Sequence, residues 1–214
     1  MSAAVQDVAL VGFPDAVFDV FSIPDFDGRM TRLRAVVTPR LREIGALLAP
    51  TLSDVVGEPL FPHVALHLRR RVNPPTDTWV AFGPSARGYK ALPHLEVGVD
   101  ARGVFTHFML RPEGQDLKAP FLKAQSLPTL KARAEKAPLI WYTGDHGEGP
   151  VPVADIKPRA WSGLKARALR KDKSLCIGLV LDRTDPAVTG PALMLALLEQ
   201  LQILAPFYRT ARRL

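Results

Sequence analysis

Between residues 22 and 57, Met30, Leu33 and Val37, then Leu41, Ile44 and Leu48, return at steps of three and four residues, the period of a helix with one apolar side. Ser22, Pro24 and Asp25 supply helix-start chemistry, and Pro39 is expected to divide the stretch into two helices. A different rhythm follows. "TWVAFG" (78–83), "PHLEVGV" (93–99) and "VFTHFMLR" (104–111) are short, alternate apolar with polar positions and are separated by turn residues. They predict three strands of an antiparallel meander, and Val64, Leu66 and Leu68 predict another strand over 64–69 beside them. Residues 115–136 read as two helices divided at Pro128, "APLIWYTG" as a strand ending at Gly144, and "DHGEGPVPVAD" as a loop before a helix that starts near Pro158. The nearly unbroken apolar run "LCIGLVLDR" predicts a central strand covered on both faces. From Pro191 to about Tyr208 the chain reads as a helix apolar enough to lie in the core or in a dimer contact, with Glu199, Gln200 and Gln202 arguing against a membrane span.

Strands interspersed with helices, without regular alternation, indicate an α+β fold: a single domain whose largely antiparallel sheet is packed with several helices. N-terminal helices are expected over about 25–56, a sheet-rich core over about 62–111, and helix and strand additions over 115–214. At 214 residues, 47% hydrophobic and 23% charged, the chain has the composition of a folded globular protein. Its one cysteine, Cys176, lies in an apolar run and excludes both an intramolecular disulfide and a multi-thiolate metal site. The first residues lack a basic segment and are interrupted by Asp7, Asp15 and Asp19, so a cytoplasmic location is expected and a membrane partner is not.

Charge changes this picture. Residues 1–60 hold 5 Lys/Arg against 8 Asp/Glu, whereas residues 61–214 hold 23 against 13. An acidic partner is favoured by that asymmetry. His63 and His67 are four apart: on a helix they would sit about 6 Å apart and could share a metal, but on a strand about 13 Å apart and could not. The alternation favours the strand, so neither a metal nor a cofactor is expected. Arg69, Arg70 and Arg71 follow, then an Asn73-Pro74-Pro75 corner with Asp77 placed to cap it or to pair with an arginine. The three arginines read either as solvated charge or as anion-binding guanidiniums. "GPSARGYK" reads as a hairpin connection from which Ser85, Arg87, Tyr89 and Lys90 project; it matches no P-loop or dinucleotide fingerprint. "KPRAWSGLKARALRKDK" (157–173) carries seven basic residues and one acid, with Trp161, Leu164, Ala168 and Leu169 on an apolar side and Arg159, Arg167 and Arg170 opposite.

Four motifs in order, "APTLSDVVGE", "LFPHVALH", "RRRVNPPTDTWVAF" and "RGYKALPHLEVGV", resemble the YktB-like family, bacterial cytosolic proteins of unknown function. The resemblance is close from about Arg29 to Gly98. It implies a compact single α+β domain and brings no catalytic residues with it. It also highlights His63, His67, Arg69, Arg70, Asn73, Asp77, Trp79, Arg87, Tyr89, Lys90 and His94, which neighbouring strands would gather at one end of a sheet.

Three functional readings stay open. In the first, the protein binds DNA or RNA through phosphate contacts from Arg69, Arg70, Arg71, Arg87, Lys90, Arg159, Arg167 and Arg170, with Tyr89 stacking on a base. In the second, it binds or acts on a small phosphorylated ligand, with His63 or His67 as general acid or base. A homodimer formed through the C-terminal helix is the third.

Overall fold

The alternation of "HLEVGVD" sends Leu95, Val97 and Val99 to one side of a strand and His94, Glu96 and Gly98 to the other, and in a computed structural model of the chain the two sets meet different surroundings. The structure describes residues 12–68, 72–144 and 148–214. Among them, β1 (Phe61–Val64), β2 (Asp77–Gly83), β3 (His94–Asp100), β4 (Gly103–Leu110), β5 (Ile140–Tyr142), β6 (Pro150–Pro152) and β7 (Leu175–Asp182) form one sheet. Its order is β1-β2-β3-β4-β7-β5-β6, and every neighbouring pair is antiparallel. The expected meander is β2, β3 and β4, and "LCIGLVLDR" is the internal strand β7. The edge strands carry prolines: Pro62 in β1, Pro150 and Pro152 in β6.

Helices cover one face. They are α1 (Phe26–Arg32), α2 (Thr38–Val56), α3 (Gln115–Ala124), α4 (Leu127–Ala134), α5 (Pro158–Ala168), α6 (Pro186–Thr189) and α7 (Ala192–Arg212). α2 packs on β1 and β2, and α7 on β3, β4 and β7. The apolar stripe of α7, including Leu193, Leu197, Leu201, Leu204 and Phe207, is buried in the chain's own core beside Leu95, Val97, Phe108 and Ile177. Among the described residues no helix is long and apolar enough to cross a membrane.

Local chemistry accounts for several departures from the expected boundaries. The expected division at Pro39 is not a break: α1 runs on through a π-helical turn, Leu33–Val37, into α2, and Pro39 stands just after that turn. Pro128 stands in the first turn of α4, whose cap is Ser126 accepting from the Thr129 amide; the two helices separate at residues 125–126. β1 begins and ends earlier than the strand expected over 64–69. After the Ala65 amide donates to the Trp79 carbonyl at 2.9 Å the chain leaves the sheet, and His67 takes φ 51°, which no strand can hold. The loop expected after β5 contains β6, paired with β5 through Tyr142↔Pro150. Lys118 of α3 is fully buried and donates to the carbonyls of Arg170 and Lys173, tying α3 to the turn between α5 and β7.

Candidate functional site

Strand register builds the site on the sheet face opposite α2 and α7. One transverse row reads His63, Ala81, Glu96, His107, Gly178 and Ile140, from β1 across to β5. The adjacent row brings His94, Met109, Cys176 and Tyr142 together. Trp79, Gly98 and Phe105 share the row on the other side. Two glycines let rings lie flat on this face: a Cβ on Gly98 would fall 2.1 Å from the Phe105 ring, and one on Gly178 would fall 2.2 Å from the His107 ring.

A charged cluster is buried here. Glu96 is inaccessible to solvent, and its Oε1 accepts from Arg111 Nη2 at 3.0 Å and lies 3.1 Å from His94 Nε2. His94 Nδ1 donates to the Leu92 carbonyl at 2.8 Å, which turns Nε2 toward the Glu96 carboxyl group. The Arg111 guanidinium carbon stands 4.8 Å from the centre of the Trp79 ring and 5.9 Å from that of Tyr89, a cation–π arrangement. Trp79 Nε1 donates to Tyr89 Oη at 3.0 Å, and Tyr89 packs edge-on against His94. Burial, then the Glu96 charge, raises the Tyr89 hydroxyl above its ordinary pKa, so it stays a phenol. His107 stacks on Phe105 and is pushed down to about 4 by burial, against the pull of Glu96, which keeps its imidazole neutral near pH 7.

Beside this cluster a pocket of about 430 Å³ opens to solvent, lined by Val64, Ala65, Leu66, His67, Leu68, Trp79, Tyr89 and Lys90. Trp79 and Tyr89 therefore form its wall on one side and touch the Arg111 guanidinium on the other. His67 meets Trp79 edge to face, with ring centres 5.4 Å apart. Its positive φ carries the chain over the pocket, and a smaller cavity of about 80 Å³, lined partly by Met30 and Leu33, lies under the same 65–68 loop. Arg29 steadies the following corner, its Nη1 donating to the Pro75 carbonyl at 2.9 Å.

Of the residues singled out from the sequence, His67, Trp79, Tyr89 and Lys90 meet at the pocket, and His94 lies in the cluster behind it. His63 faces the same side of the sheet but engages the Ser85 carbonyl through Nε2 at 2.8 Å and packs on Tyr89, so it does not line the pocket. Arg87 projects into solvent from the β2–β3 connection. Arg69, Arg70 and Arg71 lie outside the described residues. On α5, Arg159 is exposed, whereas Arg167 pairs with Glu148, and Arg170, just past the helix, pairs with Asp172. Glu96, Arg111 and Tyr142 escaped the sequence reading. The available signal was a glutamate alone among the apolar residues of "PHLEVGV", on the side away from Leu95, Val97 and Val99.

Among the described residues no group of three or more His, Cys, Asp or Glu is placed to hold a metal ion. Residues 13–208 match the family described as "Domain of unknown function (DUF1054)". A UPF0637 protein of Bacillus velezensis is 50% identical over 176 residues, covering 78% of this chain and 80% of that protein. UPF0637 proteins of Bacillus cytotoxicus and Staphylococcus aureus are 45% and 42% identical over 103 and 99 residues, about half of each chain. With the family match spanning nearly the whole sheet and its helices, the chain belongs to the DUF1054 family of UPF0637 proteins, the YktB-like group that its central motifs resemble.

Proposed function

We propose that the protein binds a small phosphorylated ligand that carries a flat ring, in the pocket between the 65–68 loop and Trp79. The observation that supports this reading is the meeting of three rings, His67, Trp79 and Tyr89, with the Lys90 ammonium in one 430 Å³ cavity. The rings offer stacking surface, and the lysine offers a point charge to a phosphate. His67, at the cavity rather than behind it, is the group placed to exchange a proton with the ligand.

Isothermal titration with nucleoside monophosphates, sugar phosphates and inorganic phosphate tests it. Saturable binding of one ring-bearing phosphate per chain is expected, weakened at least tenfold by Trp79→Ala and by Lys90→Ala. Absence of binding by every phosphorylated compound would remove the proposal. A nucleic-acid strand is the second reading, favoured by the exposed Arg87, Lys90 and Arg159. It predicts affinity that rises with oligonucleotide length and falls steeply with salt.

A further inference from the structure

A second concavity lies away from this pocket. It is a trough of about 710 Å³ between the α3–α4 corner and α5, open to solvent along one side. Its apolar surface comes from Leu122, Leu127, Pro128 and Trp161. Lys123 and Lys131 stand on one wall and Lys165 on the other, and among the described residues no carboxylate lines the trough.

The lysines here differ from the cations at the other end of α5. Arg167 and Lys173 share Glu148, and Arg170 holds Asp172, so each of these cations has a carboxylate partner. In the trough, Lys131 donates to the Ala154 carbonyl at 3.0 Å, and Lys165 lies 5.6 Å from the centre of the Trp161 ring. Neither a carbonyl nor a ring face cancels a full charge. The lining thus couples apolar area to a positive charge that no acid among the described lining residues offsets, and Gln125, nearly buried, carries both a donor and an acceptor, the complement of a peptide bond.

We infer that this trough docks an acidic peptide segment of a partner protein, with apolar side chains set over Trp161 and Leu127 and carboxylates meeting Lys123, Lys131 and Lys165. An open trough with cations on both walls suits a chain that keeps one side in water, whereas a small ligand would leave much of its surface exposed.

The full chain panned against a displayed random-peptide library provides the test. The enriched sequences should place Asp or Glu beside Leu, Phe or Trp. As synthetic peptides they should perturb Trp161 emission, a change absent in Trp161→Phe, and bind at least tenfold more weakly to Lys123→Glu/Lys131→Glu/Lys165→Glu. Should that triple variant fail to fold, Lys123→Ala/Lys165→Ala is to show the same direction with a smaller loss. No enrichment overturns the inference, as do enriched peptides without acids or equal binding to the variants. Binding to phosphatidylglycerol vesicles that the variants lose, without peptide enrichment, also overturns it and assigns the trough to a lipid surface.

Discussion

On the helix-covered face of the sheet, Phe108 packs between Phe121 and Phe207, with ring centres 5.0 and 6.1 Å away. On the opposite face, at the position next to Phe108, His107 lies buried above Gly178 and 4.0 Å from a buried carboxylate. Both residues are removed from water to the same degree, and the strand alternation alone decides which face each meets. The first face is stabilised by moving apolar area out of water. Dehydration of the second must be offset by hydrogen bonds and by the contacts of Glu96 with Arg111 and His94. A sheet that needed only stability would repeat the first solution on both sides. The polar face is the one on which the proposed ligand pocket opens.

Mutations can break this comparison face by face. Phe108→Ala should lower unfolding stability by about 4 kcal/mol in urea titration, since it empties the centre of the apolar layer. A loss below about 1 kcal/mol would mean the layer collapses to fill the space. Glu96→Gln should cost about 3 kcal/mol, because it leaves Arg111 buried without its carboxylate. Glu96→Met combined with Arg111→Met should recover most of that loss while reshaping the Trp79 side of the pocket, and failure to recover would show that the ion pair is itself stabilising.

The smallest effect is one of pH. His107 titrates near 6.5 when unfolded but only at about 4 in the folded chain, so the unfolded state takes up the proton first as pH falls. The stability contributed by the neutral imidazole is complete above pH 6.5 and is lost as pH falls toward 4. Between pH 8 and pH 5 the wild type should lose about 2 kcal/mol more than His107→Gln does. Parallel pH profiles for the two proteins would show that burial does not hold the imidazole neutral.

Much of the fold was legible because alternation and helical period are local signals. "TWVAFG", "PHLEVGV" and "VFTHFMLR" each announce a strand without reference to any other part of the chain. β6 was not legible: three residues with two prolines carry no strand signal and pair only because β5 lies alongside. The pocket was half legible. Trp79, Tyr89 and Lys90 stood out as residue types, but His67 reaches the cavity only because the chain turns out of the sheet after Ala65, against the alternation that predicted a longer strand. The Glu96 cluster depends on register. Arg111 follows Glu96 by fifteen residues and meets it only because β3 and β4 pair with Leu95 opposite Phe108.

The prolines on β1 and β6 have a consequence for the crowded conditions in which a chain is made. An open antiparallel sheet ends in two rows of backbone groups that any extended chain can join, and proline offers no amide there. With Pro62 at one border and Pro150 and Pro152 at the other, a nascent neighbour's strand finds an incomplete ladder at either side. Among the described residues the sheet ends at these two borders, and the prolines there work against its extension by another chain.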